Sequence, residues 1–89
     1  MASIRDLKKD INYVLGDIIE GVYVWEAAKQ QFDHAEANAI IDEAIAVFDD
    51  LIAKVNDKKP SNRKAHLTQV HNTLEEKANA LIERLNKLS

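Results

Sequence analysis

The stretch Ala37-Asn38-Ala39-Ile40-Ile41-Asp42-Glu43-Ala44-Ile45-Ala46-Val47-Phe48-Asp49-Asp50-Leu51-Ile52-Ala53-Lys54-Val55 decides the fold. Its apolar residues recur at three- and four-residue steps, the period of an α-helix. At about 100° per residue, Ala37, Ile40, Ile41, Ala44, Ile45, Val47, Phe48, Leu51, Ile52 and Val55 fill an arc of about 160°. Asn38, Asp42, Glu43, Asp49, Asp50 and Lys54 occupy the other side. This is an amphipathic helix with a wide buried face. Asp33, with Glu36 three residues on, is the cap candidate at its start.

The same period extends in both directions. Upstream, Ile4, Leu7, Ile11, Val14, Leu15, Ile18, Val22, Trp25, Ala28 and Phe32 form a stripe. A heptad with Ile4 at a puts Ile11, Ile18, Trp25 and Phe32 at a, and Leu7, Val14, Gly21, Ala28 and Ala35 at d. Ser3 and Asp6 suit a capping box there. Downstream, Leu67, Val70, Leu74, Ala78, Leu81, Leu85 and Leu88 form a third stripe, with Ser61 or Asn62 as cap. The segment Asn56–Ser61 between them reads as a linker, because Pro60 cannot continue a helix. The pattern predicts helices over residues 4–31, 35–56 and 62–87. Short connections make sequential helices antiparallel, so the expected fold is all-α, a three-helix up-down-up bundle forming one domain over residues 1–89.

Composition closes other doors. With 2 glycines and 1 proline in 89 residues, the chain lacks turn material for an all-β fold. It has no cysteine, which removes disulfides and thiolate metal sites and suits a reducing cytoplasm. No run approaches the roughly 18 apolar residues of a membrane span. The opening MASIRDLKKD carries charge in place of a signal-peptide core, so no membrane association and a cytoplasmic location are expected. A net charge of −3 argues against general nucleic-acid binding. Charge is uneven along the chain: residues 33–57 hold one basic and seven acidic side chains, residues 58–89 seven basic and three acidic. The second and third helices should therefore attract one another, although each exposed pair contributes only about 0–1 kcal/mol.

Four groups of residues could carry function. His66 and His71 are five apart, whereas two ligands on one helix need a spacing of three or four. His34 could join them only after assembly, so no metal is expected unless the three meet in an oligomer. Asp42 with Asp49, and Glu43 with Asp50, stack seven apart and read as a solvated acidic face. Lys58, Lys59, Arg63 and Lys64 flank the Pro60 turn and could hold an anion or a nucleic acid near a helix N-terminus. No aromatic residue is interleaved for base stacking, and Lys58 and Lys59 also suit the negative end of the preceding helix. The segment Gly21-Val22-Tyr23-Val24-Trp25 stands apart, because it makes the middle of the first helix apolar almost all round. Tyr13, Ile19, Tyr23 and Val24 either form a contact patch for a second copy or another protein, or are scattered surface residues on a central helix, with Trp25 and Phe32 in the core. No nucleophile–base arrangement is visible, so neither an enzyme nor a cofactor is expected.

Residues Ile4-Arg5-Asp6-Leu7-Lys8-Lys9-Asp10 through Val22-Tyr23-Val24-Trp25-Glu26 resemble the opening of short uncharacterised bacterial helical proteins. The resemblance covers under a third of the chain and implies no activity, cofactor or binding residue. The expected role is a small non-catalytic interaction or structural protein, self-associating through the first helix. The rival expectations are an anion-binding turn at Lys58–Lys64 and a histidine-based metal protein.

Overall fold

A computed structural model describes residues 4–30, 34–59 and 61–88. Over these residues the chain forms three α-helices, α1 (Ile4–Lys29), α2 (Ala35–Asn56) and α3 (Arg63–Asn86), and each packs on the other two. Arg84 near the end of α3 meets Glu36 and Glu43 near the start of α2, while His66 at the start of α3 meets Lys54 at the end of α2. These two helices are therefore antiparallel. Gly21 and Leu85, both late in their helices, set α1 parallel to α3. The result is the all-α up-down-up bundle, 48 Å long and 19 Å by 18 Å across.

The core is the apolar stripe of each helix closed on the other two. Leu7, Ile11, Leu15, Ile18 and Val22 of α1 meet Ala37, Ile40, Ala44, Leu51 and Val55 of α2 and Val70, Leu74, Ala78 and Leu81 of α3, all buried. The heptad expectation for α1 fails gradually along its d positions. Leu7 is buried, Val14 and Gly21 are half-buried, and Ala28 is exposed. A straight helix turns 3.6 residues per turn, so a strict seven-residue repeat drifts by about 20° per heptad. The drift carries Ala28 out of the core and brings Leu15, Val22 and Glu26 in. Trp25, expected in the core, is half-buried and packs against it. Ala35, the next d position, is exposed in the first turn of α2, and Phe32 lies outside the described residues.

The helix ends follow local chemistry. The apolar period places residue 31 inside the first helix, but α1 stops at Lys29 because Gln30 adopts φ 57°, the left-handed conformation that ends helices. Residue 31 itself lies outside the described residues. The cap of α2 is His34, one residue after the expected Asp33; its Nδ1 accepts the Ala37 N–H at 3.4 Å. Asp33 and Ser3 lie outside the described residues. The Trp25 and His34 rings meet edge to face at 5.0 Å, which fixes the α1–α2 corner. Asn62 caps α3 as expected, its Oδ1 accepting the Ala65 N–H at 3.1 Å. That helix starts at Arg63 and ends at Asn86, one residue inside each expected boundary, because Asn62 and Lys87 are its caps.

The two glycines differ. A Cβ on Gly21 would stand 3.0 Å from Leu85 Cδ2, so the missing side chain lets α1 and α3 approach. A Cβ on Gly16 would meet nothing within 4 Å. Glycine costs a helix interior about 1 kcal/mol relative to alanine. Gly16→Ala should therefore raise the stability of the dilute protein by about 0.5–1 kcal/mol. A urea titration checks this, and an unchanged midpoint would contradict it.

Candidate docking face

The three seams between helices are built differently. The α2–α3 seam is polar and closed. Arg84 reaches from α3 to α2, donating from Nε and Nη2 to Glu36 Oε1 at 3.2 and 3.0 Å and from Nη1 to Glu43 Oε2. The bond to Glu36 is the largest of the influences that hold the guanidinium above its ordinary pKa; burial opposes it, and the charges of Glu36 and Glu43 add to it. At the other end of the seam, His66 Nε2 donates to the Lys54 carbonyl at 2.6 Å. The charge attraction expected between these helices thus takes the form of one arginine on two carboxylates. Arg84→Ala should lower stability by only about 0.5–1 kcal/mol, because all three groups are partly solvated. Thermal melts should show this loss shrinking at about 1 M salt, where screening acts within about 3 Å.

The α1–α3 seam holds a groove of about 360 Å³ lined by the apolar Val14, Leu74, Ala78 and Ile82 and the polar Asp10, His71, Glu75 and Asn79. His71 is half-buried there, with Nδ1 at 3.7 Å from Glu75 Oε1.

The α1–α2 seam is apolar on its outer side. α1 and α2 pack along this seam, and Trp25 meets His34 at one end of it. Tyr23 is 56% exposed and Ile45 47%, while Ile19, Ile41, Phe48 and Ile52 are half-buried and packed on the core from outside. The four α1 residues expected to form one patch therefore divide. Ile19 and Tyr23 border this seam, one turn apart. Tyr13 and Val24, each 62% exposed, lie on the back of α1 about three turns from one another. Sequence reasoning missed the α2 half of the seam, Ile41, Ile45 and Ile52. The signal was the 160° arc itself, which is wider than two neighbouring helices can cover.

The remaining candidates stay apart or are already engaged. Glu43 is bound to Arg84, and Asp50 to Lys54 at 3.1 Å, whereas Asp42 and Asp49 are exposed. The acidic face read from the sequence is thus two rows with different fates. Lys58, Lys59 and Lys64 are exposed and Arg63 is half-buried. The Asp57 side chain already accepts the Lys59 N–H at 3.0 Å in this turn, and Asn62 takes an N–H at the start of α3. His34 is at one end of the molecule and His66 at the other. Among the described residues no three histidine, aspartate or glutamate side chains form a group that could hold a metal ion. No helix of the described residues is long and apolar enough to cross a membrane.

No protein-family model, curated protein or solved structure matches this chain.

Proposed function

We propose that the protein is a small non-catalytic interaction module of the cytoplasm that docks another helical surface on the outer face of α1. The observation that carries this reading is Gly16. It sits in mid-helix with open space around it, yet it costs α1 stability, and nothing inside the molecule needs it. Ile19 and the exposed ring of Tyr23 follow it along α1, one and two turns toward the C-terminus. A bare backbone beside apolar side chains suits close approach of a second helix, and large aromatic side chains dominate the energy of such contacts. The closed, ion-paired α2–α3 seam offers no comparable surface. A chain without cysteine accords with a reducing compartment.

Tyr23→Glu is the test. The side chain is more than half exposed, so helicity by circular dichroism should be unchanged. Association, read as solution mass and as capture of partners by immobilised protein, should be lost. Equal mass and equal capture by wild type and Tyr23→Glu would overturn the reading.

A further inference from the structure

The up-down-up topology brings the start of α1, the end of α2 and the start of α3 to one end of the bundle, whose cross-section is 19 Å by 18 Å. On α1, Arg5, Lys8 and Lys9 line one shallow open depression there. Lys58 and Lys59 are exposed in the turn after α2, and Lys64 in the first turn of α3, with Arg63 half-buried beside it. None of these seven is in an ion pair among the described residues, whereas Lys54 at the end of α2 is bound to Asp50 at 3.1 Å. Taken as residues 4–9 and 51–68, this end holds eight of the chain's 12 basic side chains and two acidic ones, Asp6 and Asp57. Asp10, Asp49 and Asp50 follow directly inward on α1 and α2 and mark the edge of the patch. With these three included, the end holds eight basic and five acidic side chains, and the rest of the chain four basic and ten acidic.

A net charge of −3 hides this end, because the fold gathers two basic segments that lie far apart in the sequence. The chemistry of the surface selects its partner. The large apolar side chains that are exposed, Tyr13, Tyr23, Val24, Ile45 and Ile82, all lie outside this end. A membrane-surface anchor needs an apolar face beside its cations, and a protein interface needs an apolar centre. The backbone offers little more: the N–H groups of Lys59 and Ala65 are already bound to Asp57 and Asn62, so an anion here is held by side-chain charge. A nucleic-acid duplex asks for that alone. It presents one phosphate per about 1.7 Å, so a length equal to the 19 Å width of the bundle carries about eleven. The acidic remainder of the molecule repels such a partner and confines contact to the basic end.

We propose that this end of the bundle docks on the phosphate backbone of a nucleic-acid duplex without reading its sequence. Phosphate contacts position a protein and carry no base information. The site is separate from the Tyr23 side of α1 and does not depend on the docking reading above.

The experiment is fluorescence anisotropy of a labelled DNA duplex of about 20 base pairs, titrated with the full chain at about 50 and about 150 mM salt, and repeated with a duplex of unrelated sequence. Wild type should bind both sequences alike. The threefold rise in salt should weaken binding by about a hundredfold, the loss that goes with about five phosphate contacts. Arg5→Gln/Lys9→Gln on α1 and Lys58→Gln/Lys59→Gln in the turn should each weaken binding by about tenfold and flatten its salt dependence. Lys29→Gln/Lys77→Gln removes the same charge away from this end and should bind as the wild type does. All six substituted side chains are exposed, so helicity by circular dichroism should be unchanged throughout.

Absence of binding at the lower salt overturns the proposal. So does an equal loss in the Lys29/Lys77 variant, or a loss confined to one of the two basic segments, because the site is built from both. Pelleting with vesicles of phosphatidylserine and phosphatidylcholine supplies the comparison with a second anionic surface. Tighter binding to those vesicles than to the duplex overturns the assignment to nucleic acid.

Discussion

Leu51→Ala is expected to destabilise the fold by about 2–5 kcal/mol. Leu51 is fully buried near the middle of the chain, on the α2 stripe that faces both other helices. Truncation removes apolar atoms from a close-packed interior and leaves a cavity that helices held by two short connections can only partly collapse into. A chain of 89 residues has a total stability of about 4–13 kcal/mol, so this single change removes a large share of it. A urea titration should show a lower midpoint with an unchanged slope. A loss below about 1 kcal/mol would mean that the three stripes do not share one core.

Glu26→Leu is expected to act in the opposite direction, raising stability by about 1–3 kcal/mol. Glu26 is only 4% exposed, and its Oε2 has no hydrogen-bond partner among the described residues. The adjacent Trp25 Nε1 is likewise buried without one. A buried polar atom with no partner carries its full desolvation cost, and a carboxylate in the last turn of α1 also faces the negative end of the helix dipole. Leucine keeps helix propensity, approximates the volume and adds apolar burial. For a domain of this size the melting temperature should rise by about 4–8 °C per kcal/mol. A lower melting temperature would show that the carboxylate is held by a group that leucine cannot satisfy.

Much of this molecule could be read from period alone, because three stripes at helical spacing with one proline turn admit few other folds. Asn62 was legible as a cap because a short amide side chain reaches the third backbone N–H of a helix. His34 was not, since imidazole is rarely chosen for that place, and its edge-to-face contact with Trp25 accompanies it. Glu26 was hidden for a related reason: a glutamate at the edge of a stripe is normally solvated, and the drift of a 3.6-residue helix against a seven-residue count turned it inward. The docking face was half legible. Tyr23 stood out in the sequence of α1, but Ile41 and Ile45 of α2 looked like ordinary core. Which part of a wide apolar arc is left uncovered depends on where the other two helices lie, and that is a tertiary fact.

The carbonyl of Lys54 is shared. It accepts the Asp57 N–H from its own helix end at 3.2 Å and the N–H of the His66 imidazole from the next helix at 2.6 Å. A free helix end frays one residue at a time, each opening independent of the neighbouring helix. Here the last turn of α2 cannot loosen without releasing a group anchored in the first turn of α3. The two turns are therefore expected to open together, and the exchange of the Asp57 amide with solvent then becomes a gauge of how firmly α3 is seated, not of how α2 ends.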